Sequence, residues 1–266
     1  MIKLSNTHPK IDCCIYCGAI DNLTDEHVIP YGLGGKEQLK KASCKACAKI
    51  TCSLEQRLLR GQWWPYRKIL KIRSRSAEYP KYQLVKLKFT WGESIEAKVL
   101  MDEVPLVVIL EFDPPSILKG EIRSDIPYAT RMGAKFVANI PSRVLVEGRM
   151  RLLQTNEQIE FPATFNASDL VRFLAKIAHC YAIYTRGINA CSEYFLPKYI
   201  LGSGEGALTY VGSSSSKILD KDIPGNSLHV MLDAKNGDYL SVFIQLFRDG
   251  GESPAIYEVI VGKLTA

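Results

Sequence analysis

Residues 23–35 read Leu23-Thr24-Asp25-Glu26-His27-Val28-Ile29-Pro30-Tyr31-Gly32-Leu33-Gly34-Gly35. An acid stands directly before a histidine, and two apolar residues, a proline and a Gly-Gly pair follow. Val28 and Ile29 suit a strand, which Pro30 and Gly34-Gly35 end as the chain enters a loop. The stretch is framed by Cys14-x2-Cys17 and Cys44-x2-Cys47, with 26 residues between the two pairs. A helix is expected to start near Ser43 and run through Cys47, Lys49, Leu54 and Leu58. Two strands and a helix, pinned by thiols, are the predicted unit.

The chain has 266 residues and eight cysteines. Six lie before residue 53 (Cys13, Cys14, Cys17, Cys44, Cys47 and Cys52), while Cys180 and Cys191 lie far downstream. A disulfide framework needs an oxidising compartment. Residues 1–10 are polar and show no signal-peptide apolar region. No apolar run approaches a membrane span, so a soluble, cytoplasmic protein is expected. Two CxxC pairs are the sequence form of a tetrahedral thiolate site for structural Zn²⁺, with Cys14, Cys17, Cys44 and Cys47 as ligands. The Cys13 spacing to Cys17 is less usual, so it is left out. Cys52 is expected to pack on the helix.

The segment resembles the HNH endonucleases, whose catalytic unit is a ββα-metal finger. The resemblance rests on Cys14-Ile-Tyr-Cys17-Gly18, Asp25-Glu26-His27-Val-Ile-Pro30, Leu33-Gly34-Gly35 and Ser43-Cys44-Lys-Ala-Cys47. It implies a metal-dependent endonuclease that hydrolyses DNA to 5′-phosphate and 3′-hydroxyl ends. It also implies roles: His27 as general base and Glu26 as a ligand of Mg²⁺ or Mn²⁺. The chemistry suits those types. A neutral imidazole can take a proton from water near neutral pH, and a divalent cation can neutralise charge building on phosphate. DNA restriction or antiphage defence is the setting that the resemblance suggests.

Two positions depart from that pattern. The residue directly after the second CxxC, normally Asn or His and the other metal ligand, is Ala48. The middle Asn has only Gln38 and Ser43 as polar candidates. Glu55 lies two helical turns beyond Ala48 on the same face, far along the axis for a direct ligand. Three readings stay open: a degenerate nuclease that only binds, an unusual ligand set, or an inactivating replacement of Asn at position 48. The neighbouring Cys-Ala-Lys-Ile-Thr favours the last.

Residues 1–90 hold 17 Lys and Arg against 7 Asp and Glu, whereas 91–266 hold 17 against 21. A basic front half suits a polyanionic partner. Residues 57–75 carry seven basic side chains, no acid and three aromatics. Pro65 should break the helix that began in the finger. Trp63, Trp64 and Ile69 are expected mostly to pack. Lys45, Lys49, Arg57, Arg60, Arg67 and Lys68 are expected to meet nucleic acid. DNA is the expected partner, RNA the alternative.

Beyond residue 80 the pattern changes. Residues 82–91 alternate as a half-buried strand, and 97–101, 106–112 and 143–147 read as further strands. Residues 167–185 form the clearest helix, with Leu170, Phe173, Leu174, Ile177 and Tyr181 on one stripe. His179 and His229 read as structural. Residues 202–216 read as a surface loop, and 228–232, 239–247 and 255–263 as a β-meander with turns at Asn236-Gly237 and 249–251. The expected class is α+β. Residues 1–80 form a zinc-stabilised nuclease module with a basic extension. Residues 81–266 form a mixed domain of antiparallel strands and at least one long helix, for recognition, regulation or assembly with a protein partner or another copy. The alternatives to an enzyme are a catalytically inactive DNA-binding protein and a zinc-stabilised assembly protein.

Overall fold

The computed structural model describes residues 8–61, 63–64, 67, 71–72, 81–100, 108–124, 131–134, 143–154, 156–160, 166–216, 219, 228–248 and 255–265. The class is α+β, with antiparallel sheets and few helices. The finger comprises β1 (Leu23–His27), β2 (Gln38–Cys44) and α1 (Lys45–Arg60). β1 stops at His27, so Val28 and Ile29 follow the strand as buried loop residues. The helix starts two residues later than expected, because Ser43 and Cys44 still pair with Thr24 and Leu23.

The β1–β2 register shifts between Thr24 and Glu26. Asp25 satisfies that irregularity: it accepts from the Lys41 backbone N–H at 3.0 Å and from the Lys40 ammonium at 2.8 Å. The Lys40 contact holds the Asp25 carboxyl below its ordinary pKa. The Gly-Gly pair has two separate jobs. Gly34 takes φ +87°, a left-handed conformation that favours glycine. At Gly35 a Cβ would lie 1.9 Å from the Ile29 carbonyl oxygen, so only glycine lets the loop return that closely.

Seven strands follow the finger: β3 (Tyr82–Lys88), β4 (Ser94–Leu100), β5 (Val108–Glu111), β6 (Arg131–Ala134), β7 (Arg143–Val146), β8 (Arg149–Leu152) and β9 (Gln158–Glu160). Then come α2 (Ala167–Arg186), β10 (Cys191–Tyr194), the one-turn helix α3 (Pro197–Ile200), β11 (Val211–Ser214), β12 (His229–Asn236), β13 (Tyr239–Leu246) and β14 (Ile256–Leu264). The expected loop at 202–216 therefore contains a strand, β11, which pairs with β14. The turn expected at 249–251 lies outside the described residues.

The chain forms two compact units. One comprises Met1–Arg57, Ile109–Met132 and Asn166–Ala266; the other comprises Leu58–Val108 and Gly133–Phe165. This differs from the expected division at residue 80. The finger shares its unit with α2 and the C-terminal strands, because α2 supplies the polar groups that the finger's buried side chains need.

Within the first unit α2 is a central helix. Asn166 caps it by accepting from the Asp169 N–H at 3.1 Å. Leu170, Phe173, Leu174 and Ile177 of its apolar stripe are buried and Tyr181 is partly buried, while Val171, Ala175, Ala178 and Ala182 are buried as well. The five-stranded sheet runs β10-β14-β13-β12, with β11 also on β14. β13 and β14 are buried along most of their length, so they read as apolar runs and not as alternation. Tyr181 on α2 donates to the Met231 carbonyl of β12 at 3.0 Å.

In the second unit the sheet order is β8-β7-β4-β3-β9. Val85 and Leu87 face its core with Ala97, Val99 and Val144, while Leu84 faces solvent. That is the alternation read from the sequence. Trp63 is buried, and Trp64 packs on the Val85–Val144 core. α1 ends at Arg60, and Pro65 lies outside the described residues.

Candidate metal centre and nucleic-acid interface

The two CxxC pairs converge. The four sulfurs of Cys14, Cys17, Cys44 and Cys47 all lie within 4.8 Å of one another. Cys14 and Cys17 sit on a turn closed by the Gly18 N–H to the Cys14 carbonyl at 2.8 Å, with Gly18 at φ +77°. Cys44 ends β2 and Cys47 lies in the first turn of α1. Cys17 Sγ and Cys44 Sγ are 3.7 Å apart. A tetrahedron with Zn–S bonds of about 2.3 Å has edges of about 3.8 Å, so the cluster fits a structural zinc. The Cys47 N–H donates to Cys44 Sγ at 3.5 Å and holds that thiol down to about 7. Cys13 stands outside the cluster, and Cys52 is exposed rather than packed.

His27 and Glu26 are neighbours on a strand, so their side chains leave opposite faces. His27 pairs with Gln38 across the ladder, and their Nε2 atoms are 2.7 Å apart. Gln38 Oε1 accepts from the Lys40 ammonium at 2.8 Å. The Gln38 amide NH₂ therefore donates to His27 Nε2 and places the ring proton on Nδ1. Gln38 thus fixes the orientation of His27. Ser43 is fully buried, and its hydroxyl turns to the Cys44 carbonyl instead.

Glu26 turns inward and is buried. Its Oε1 lies 2.9 Å from the ammonium of Lys176 on α2. Glu55 Oε1 lies 3.0 Å from the same ammonium. Glu55, expected to lie far along the helix axis from position 48, thus meets Glu26 at one ammonium. Lys176 also donates to the His27 carbonyl. Burial lowers the pKa of Lys176, but Glu26 and Glu55 outweigh it and hold the group charged. Burial pushes the Glu55 carboxyl up. Ala48 is partly buried on α1 and has no donor atom; its carbonyl accepts from Thr51 Oγ1 at 3.3 Å.

These residues do not fit the catalytic Mg²⁺ or Mn²⁺ that the family resemblance implies. Ala48 cannot ligate, and Glu26 already faces a cation.

The basic residues separate into groups. Lys45 and Lys49 are exposed on α1, one turn apart, and Arg60 is exposed at its end. Arg57 is engaged: its Nε and Nη2 each donate to Asp169 at 2.7 Å. Arg67 corrects the expectation. It is 4% exposed, donates to the Leu59 carbonyl at 3.1 Å and lies 5.7 Å from the Trp64 ring centre. A guanidinium so enclosed packs the second unit and leaves little face for a phosphate. Lys68 lies outside the described residues.

Lys176 and Asp169 were missed from the sequence. The signal was available: a lysine one turn from Phe173 and next to Ile177 stands at the edge of the apolar stripe of a predicted helix. A charge on such a stripe asks for a buried partner. His179 is wholly buried, with its Nε2 2.9 Å from the Ile15 carbonyl, as its structural reading requires. Burial pulls its pKa down to about 4.

Residues 14–60 match the family model for HNH endonuclease. No curated protein and no solved structure matches the chain. Among the described residues, no helix is long and apolar enough to cross a membrane.

Proposed function

We propose that this chain is a DNA-binding protein built on an HNH-type finger, and that as written it cleaves DNA poorly. The observation that carries this reading is the methyl group of Ala48 where a ligating side chain would stand. Zinc holds β1, β2 and α1 together. Exposed Lys45, Lys49 and Arg60 then offer positive charge along one helix to the phosphates of a duplex. His27, oriented by Gln38, lies on the finger as the residue to which a base role is assigned. A setting in DNA restriction or antiphage defence is supported by the family match alone.

The second reading is an active, metal-dependent endonuclease. The family match over residues 14–60 and a His27 ring held by Gln38 favour it. Two assays on the zinc-loaded chain separate the readings. Gel shift of labelled duplex, competed by unlabelled duplex and by RNA, should show DNA binding. Plasmid nicking with Mg²⁺ or Mn²⁺ should not exceed that of His27→Ala. Rapid nicking that His27→Ala abolishes would establish the second reading. Absence of binding to either nucleic acid would leave the finger as an assembly element.

A further inference from the structure

The ammonium of Lys176 sits where three oxygens meet: Glu26 Oε1 at 2.9 Å, Glu55 Oε1 at 3.0 Å and the His27 carbonyl. An ammonium has three N–H donors, and here each has an acceptor. The side chain is wholly buried, and Glu26 is nearly so. Withdrawing a charge from such a group leaves its partners unpaired in a poorly solvated place, which is strongly unfavourable. The three acceptors are all oxygens, two of them anionic, which is the donor set that hard cations select.

We propose that Lys176 is the resident cation of this finger. Its ammonium fills the position between Glu26 and Glu55, so the folded chain keeps no exchangeable divalent ion there. This rests on the proposed function only in treating the finger as nuclease-type. It goes further in assigning the cation's place to a residue of α2.

The charge count makes the idea testable. Two carboxylates and one ammonium leave one negative charge in excess. Replace Lys176 by Met, and two carboxylates face each other with a carbonyl beside them. A divalent ion would then balance the charge. The probe is Mn²⁺, added to the full-length zinc-loaded protein and counted by electron paramagnetic resonance. Wild type should show no Mn²⁺ site that depends on Glu26 or Glu55. Lys176→Met should bind one Mn²⁺ at least tenfold more tightly than wild type. Lys176→Met with Glu55→Gln should lose that gain. Thermal unfolding gives a second readout: Mn²⁺ should raise the midpoint of Lys176→Met and leave wild type unchanged.

A wild-type Mn²⁺ site weakened by Glu26→Gln or Glu55→Gln would overturn the proposal. So would a gain below tenfold in Lys176→Met, or a Lys176→Met chain that Mn²⁺ cannot restore to the folded state. The gel-shift assay run in parallel keeps the two ideas apart. Lost DNA binding with the Mn²⁺ results intact refutes the proposed function and leaves the Lys176 assignment standing.

Discussion

Arg57 on α1 and Asp169 on α2, 112 positions apart, are joined by two hydrogen bonds of 2.7 Å from one guanidinium to the two oxygens of one carboxylate. The bidentate geometry is the strong form of this contact. Asp169 is mostly buried, whereas the Arg57 side chain is 47% exposed, so solvent weakens the pair. Asp169→Asn should cost about 1–2 kcal/mol, read as a lowered urea midpoint. Arg57→Ala added to that variant should cost little more. Fully additive losses would show that the two side chains do not act as a pair.

Salt dependence sorts the basic residues. Each phosphate contact on duplex DNA adds about 0.9 to the slope of log affinity against log salt. Lys45→Ala, Lys49→Ala and Arg60→Ala should each weaken binding and flatten that slope. Arg57→Ala should change it less, because Asp169 already holds the guanidinium. Arg67→Ala should instead lower stability, since it removes a buried contact to Leu59 and Trp64. Equal slopes in all five variants would place the DNA on another surface.

Zinc removal should be felt beyond the finger. Four thiolates on one ion supply folding energy to a small unit. α2 lies against that unit through Lys176, Asp169 and His179. Cys44→Ser, or chelation of wild type, should therefore raise hydrogen exchange at α2 amides together with those of β1 and β2. Protection that persists in α2 after zinc loss would mean that the helix is held by the C-terminal sheet alone.

His229 should make stability acid-sensitive. Its Nδ1 accepts from the Phe247 N–H at 3.3 Å, and its Nε2 donates to the Leu33 carbonyl at 3.0 Å. The neutral ring is thus used at both nitrogens, and burial lowers its pKa from 6.5 to about 4. A depressed folded pKa gives stability that is complete above the unfolded value and is lost as pH falls. The urea midpoint should therefore drop between about pH 6.5 and pH 4, with buried His179 contributing in the same window. His229→Gln should reduce that slope. An unchanged slope would show that the ring does not titrate differently on folding.

What the sequence reveals here is local. The CxxC spacing places four sulfurs within 4.8 Å because each turn aims two of them the same way. Val85 and Leu87 alternate because one face of their sheet is dry. Gly237 marks the β12–β13 hairpin because the turn needs its positive φ. What stayed hidden depends on contacts far apart in the chain. Nothing near Glu26 announces that Lys176 will neutralise it. Arg67 carries the same letter as an exposed arginine, and only packing around Trp64 decides otherwise. β11 has a Gly-Ser composition typical of a loop, yet β14 gives its backbone a ladder to join. The compact units differ from a division at residue 80 for the same reason: the polar partners of the finger lie on α2.

The separation between Glu26 and Lys176 also imposes an order on synthesis. The finger's cysteines, its strands and all of α1 leave the ribosome more than a hundred residues before Lys176 does. During that interval Glu26 and Glu55 have no α2 ammonium opposite them and remain open to water and its ions. Zinc can close the finger at once, but the acidic inner face stays hydrated until α2 arrives. The nascent finger and the finished one therefore differ in the charge they present, and the late helix completes the early module.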